Sequence, residues 1–118
     1  MQNEELLNNW VNLLKPLFPD DANIACYLKS YDPYIKVSWT LKSDPSRPTK
    51  QSKTIKIIIP QEIIIFYPNE QKSIKTGIDE RLRKFIKQKL SLFNPNHDKA
   101  RHELPPVETW IVPGNIIR

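Results

Sequence analysis

The chain has 118 residues with 18 Lys and Arg against 13 Asp and Glu, one cysteine and two glycines. That is enough for one core and too short for two, and no apolar run approaches the roughly 20 residues of a membrane helix. A lone Cys26 excludes an internal disulfide framework, and the acidic start at Glu4 and Glu5 is unlike a secretory signal, so a cytoplasmic protein is expected.

Along the chain, Leu6, Trp10, Leu13, Leu14 and Leu17 recur at spacings of three and four, which predicts an amphipathic helix. Asn3 is the candidate N-cap, and the residue before Pro16 should leave helical angles, so the helix is expected to end near Lys15. Residues 23–30 alternate loosely and place Ile24, Cys26 and Leu28 on one face. A tight turn at Tyr31, Asp32 and Pro33 then leads into residues 34–42, where Ile35, Val37, Trp39 and Leu41 alternate with Lys36, Ser38, Thr40 and Lys42. Period two is the mark of a strand with one dry and one wet face, and the two strands should form a hairpin.

Residues 43–53 are polar with two prolines, expected as a long exposed loop. A third strand is expected at residues 54–59, with Ile55, Ile57 and Ile59 on one face, ended by Pro60. Residues 61–67 have β-branched content but open with Pro60 and Glu62, and are read as a short helical turn. A long helix then runs from about Asn69 or Ser73 to Phe93, with Ile74, Ile78, Leu82, Phe85, Ile86 and Phe93 along its apolar stripe. Gly77 is its weak point, and Thr76 with Asp79 has the spacing of a capping box that would start the firm helix there. Residues 94–108 are expected as an extended proline-rich loop and residues 109–112 as a short strand added to a sheet edge. The expected fold is α+β in the order α-β-β-β-α-β: a single domain over residues 1–118, with an N-terminal helix, a three-stranded antiparallel sheet, a long second helix and a short C-terminal strand. Both helices should lie on one face of the sheet.

The charge is uneven: residues 1–40 carry −2, residues 41–90 carry +7 and residues 91–118 are neutral. Localised positive charge points to an anionic partner. Arg47, Lys50 and Lys53 of the loop, with Arg81, Arg83, Lys84 and Lys87 of the long helix, are the candidate polyanion-binding residues, able to neutralise phosphates without reading sequence.

No constellation specifies a reaction. His97 and His102 are five apart, not the one-face pair of a helical zinc site, and two glycines cannot build a nucleophile elbow or a phosphate loop. No enzyme activity, cofactor or metal is expected. The helix, three strands and basic second helix resemble in topology a double-stranded RNA-binding domain, with residues 43–53 in place of that family's strand loop. The resemblance implies contacts to phosphates and 2′-hydroxyls. The chain departs from that family's lysine-rich signature at the second helix, since residues 68–73 hold one lysine and one acid. The expectation is a small cytosolic module binding a nucleic-acid backbone or another polyanion. The alternative is a protein-interaction domain that uses the open sheet face, with Tyr27 and Tyr34, or the proline-rich tail.

Overall fold

In a computed structural model of the chain, the described residues are 2–28, 32–41, 50–98 and 103–117, without the side chains of Gln2 and Asn3. Helix α1 spans Gln2–Leu14 and gives way to a 3-10 turn, Lys15–Leu17, as Pro16 removes a backbone donor. Asn3 lies within α1 rather than capping it, because the helix starts at Gln2.

Three strands follow, β1 Asn23–Tyr27, β2 Tyr34–Ser38 and β3 Thr54–Ile58, antiparallel in sequence order. Beyond β2 the ladder continues through a Thr40 to Gln51 bridge. There Leu41 N–H donates to the Lys50 carbonyl at 2.8 Å and Ser52 N–H to that of Trp39 at 2.7 Å. The expected loop over residues 43–53 is therefore corrected at its far end. Residues 50–53 are paired backbone, and Ser52 is fully buried with its hydroxyl accepting from Trp39 N–H at 3.0 Å.

Residues 61–67 are helical: α2 spans Gln61–Phe66, followed by a 3-10 turn at Tyr67–Asn69. Helix α3 runs over Lys72–Ser91, and Gly77 lies inside it, so it does not begin at a Thr76 capping box. The Thr76 hydroxyl instead donates back to the Lys72 carbonyl at 2.9 Å, and Asp79 turns inward. Strand β4, Val107–Ile111, joins the sheet beside β3. Its pairing is parallel, so the sheet is mixed; the α2–α3 crossover is long enough to bring the chain back to the same end before β4 starts.

Both long helices cover one face of the sheet. Leu6, Leu7, Trp10 and Leu14 of α1 and Ile78, Leu82 and Ile86 of α3 share one core with Ile35, Val37, Ile55, Ile57 and Trp110. Burial of these stripes is the dominant favourable term, and only a helix-covered sheet hides both periodicities. Ile74 is exposed; the α3 stripe reaches the core only from Ile78. Trp39, just past the end of β2, is half-buried between Phe18 and Phe93, with ring centroids at 6.1 and 5.8 Å. Cys26 is half-buried and Leu28 exposed. No described helix is long and apolar enough to cross a membrane.

Candidate functional site

With the helices on one side, alternation sends a different set of side chains to the other. They are Asn23, Ala25 and Tyr27 of β1, Tyr34, Lys36 and Ser38 of β2, Thr54, Lys56 and Ile58 of β3, and Val107, Thr109 and Ile111 of β4. Register arranges them in rows across the strands. One row runs Ala25, Lys36, Lys56, Thr109, and the next Tyr27, Tyr34, Ile58, Ile111. There is no carboxylate among these twelve side chains. Glu108 points to the helix side, where its carboxylate accepts from the Trp110 indole at 2.7 Å.

The two tyrosines are directly opposed and stack, with ring centroids 5.0 Å apart and planes 14° from parallel. Lys36 and Lys56 also face each other across β2 and β3, a like-charged pair that works against pairing. Each reaches diagonally to a ring: Lys56 Nζ stands 4.4 Å from the Tyr34 centroid and Lys36 Nζ 5.5 Å from that of Tyr27. Ala25, opposite Lys36, is too short to hold it. Cation–π attraction fixes both ammonium groups beside the aromatic stack without neutralising them. Among the described residues neither lysine is paired with a carboxylate.

The cations expected from the sequence are placed differently. Arg47 lies outside the described residues. Lys50 donates from Nζ to the His97 carbonyl at 2.5 Å, and Lys53 uses its backbone N–H to bond the Pro95 carbonyl at 2.9 Å. Both thus help tie the segment after α3 to the sheet. Arg81 donates from Nε to the Ile116 carbonyl at 2.5 Å, and Arg83 lies 3.8 Å from Glu80 one helical turn away. Lys84 and Lys87 are exposed on α3. Sequence reasoning placed Lys36 on a wet strand face but did not join it to Lys56. The available signal was a lysine at the outward position of two successive strands, each two residues from an outward tyrosine or isoleucine.

The other titratable groups serve the fold. The Asp79 carboxylate accepts from the Trp10 indole at 3.0 Å and from the Tyr67 hydroxyl at 2.8 Å. Burial, then the bond to Asp79, holds the Tyr67 phenol protonated well above its ordinary range. A cleft of about 220 Å³ beside Tyr67 is lined by Glu5, Asn9 and Lys75 among others. His97 Nε2 lies 2.8 Å from the Gln51 carbonyl, which its ring N–H can meet, and His102 lies outside the described residues. Among the described residues no three His, Cys, Asp or Glu side chains gather as metal ligands. The Cys26 thiol points to the Asn8 side-chain oxygen at 3.6 Å.

No protein family, curated protein or solved structure matches this chain.

Proposed function

We propose that this chain is a non-enzymatic cytoplasmic binding module for a nucleic-acid backbone, and that the ligand lies on the open face of the sheet. One observation carries the reading: Lys36 and Lys56 oppose each other on a face whose twelve described strand side chains include no carboxylate, each parked over a tyrosine ring. The two positive charges repel across the strands, and an anion bridging the two ammonium groups is attracted by both. Among the loop and helix cations, Lys50, Arg81 and Arg83 are weaker candidates, because Lys50 and Arg81 already donate to carbonyls and Arg83 faces Glu80. A protein partner on the same face is the second reading, favoured by the exposure of Val107 and Ile111 on edge strand β4.

The test is fluorescence anisotropy with generic labelled oligonucleotides at low and at physiological salt. The wild-type protein should bind with an affinity that falls as salt rises, because phosphate contacts release counterions. Lys36→Glu with Lys56→Glu should abolish binding, while Lys84→Glu with Lys87→Glu should leave most of it. Salt-insensitive or absent binding by the wild type refutes the proposal, and so does loss of binding confined to the α3 pair.

A further inference from the structure

We infer that the strand bound on this face is single-stranded nucleic acid, with an unpaired base stacked on the Tyr27 ring at the β1 edge. The inference rests on the nucleic-acid reading above and adds to it the form of the ligand and the place of its base. Beside the lysine row runs an apolar one, in which Tyr27 is 42% and Ile111 62% exposed. A duplex offers a flat surface only phosphates and sugars, its bases being stacked inside, so a duplex docked on Lys36 and Lys56 would leave this row against a hydrated backbone. A single strand presents both components at once, phosphates for the ammonium groups and free base faces for aromatic rings.

The arrangement of the rings also gives the stack a direction. Tyr34 is enclosed, with Tyr27 on one side and the Lys56 ammonium 4.4 Å from its centroid. Tyr27 stands on the edge strand, with no described strand beyond β1. A base added there continues an existing two-ring stack, and Lys36, whose Nζ lies 5.5 Å from the same ring, is in reach of the adjoining phosphate. Because stacking is blind to base identity, the site should tolerate any sequence.

Three ligands of equal length separate the possibilities: an oligothymidylate, a duplex, and a sugar–phosphate strand carrying no bases. Poly-glutamate serves as a competitor. The wild-type protein should bind oligothymidylate about tenfold or more tighter than the abasic strand or the duplex at the same salt, the difference expected of one stacked base. Tyr27→Ala should remove that advantage, so that oligothymidylate binds no tighter than the abasic strand, while Tyr27→Phe should retain it. The comparison of ligands on the wild-type chain needs no variant, so a poorly folding Tyr27→Ala does not blunt it. Equal, salt-sensitive binding of all three nucleic-acid ligands overturns the inference and leaves the backbone reading standing. Poly-glutamate competing as well as oligothymidylate overturns the inference in favour of an acidic protein partner, and no binding of any ligand overturns both readings.

Discussion

Asp79→Ala tests what holds the two long helices in register. One carboxylate oxygen of Asp79, on α3, accepts from the Trp10 indole of α1 at 3.0 Å and from the Tyr67 hydroxyl at 2.8 Å. The Trp10 and Tyr67 rings themselves meet edge to face at 5.5 Å. Trp10 is 1% and Tyr67 6% exposed, so truncating the acceptor strands two donors that water reaches poorly. Each such donor costs about 1–3 kcal/mol, and part of that is recovered where the cleft beside Tyr67 admits water; the total should be about 2–4 kcal/mol. For a domain near this size that is a fall in Tm of about 8–16 °C. Asp79→Asn keeps an acceptor in place and loses only the charge assistance, so about 1 kcal/mol is expected. Thermal denaturation followed by circular dichroism reads both, with Glu80→Ala on the exposed side of the same turn as the control. Tyr67→Phe should cost less in the Asp79→Ala background than in the wild type, by about 1 kcal/mol. If Asp79→Ala melts no lower than Glu80→Ala, the three groups do not act as a network and the helices are held by apolar packing alone.

Two further outcomes follow from the same region. The Tyr67 phenol is held protonated above its ordinary value of 10.0 in the folded state, so its contribution is complete below that pH and is lost as pH rises through the folded value; urea midpoints should fall above about pH 10, and Tyr67→Phe should flatten that decline. Gly77→Ala should raise stability by about 0.5–1 kcal/mol, seen as a higher Tm, since alanine suits a helix interior better and the new methyl meets only the flexible tip of Arg81 at 3.3 Å; a drop would mean that the bond from Arg81 to Ile116 cannot yield.

What the sequence made legible was periodicity. Ile35, Val37 and Leu41 announce a dry strand face and are buried, because strand alternation leaves no other place for them once helices cover one side. Trp39 obeys the same alternation yet is only half-buried, its ring packed between Phe18 and Phe93 at the margin of the core. Thr76 and Asp79 show where local spacing misleads. Three residues apart beside a glycine, they have the form of a helix start, but the partner that claims Asp79 is Trp10, 69 positions away, and no local pattern records such a contact. The direction of β4 was hidden for a related reason. A short apolar strand reads the same in either sense, and the parallel choice follows from the crossover geometry.

The charge pattern was legible in amount and not in place. Summation along the chain drew attention to α3, where cations are dense, but density on a helix is also what keeps a covered domain in solution. Arg81 and Arg83 show the difference: one donates to the Ile116 carbonyl and the other faces Glu80, so each guanidinium already has a partner within the fold. Lys36 and Lys56 contribute only two of the eighteen basic residues, and they lie twenty positions apart in sequence until the register sets them side by side. Nothing in the packing requires them there. A threonine at either position would suit an exposed strand better and remove a repulsion of about 0.2–1 kcal/mol, whereas the cation–π contact that a lysine keeps is worth about as much. The two effects nearly cancel, so folding is close to indifferent between lysine and a neutral residue. Folding alone therefore does not select a charged pair beside two stacked tyrosines, and the proposal of a ligand on the sheet rather than along the helix rests on that physical ground.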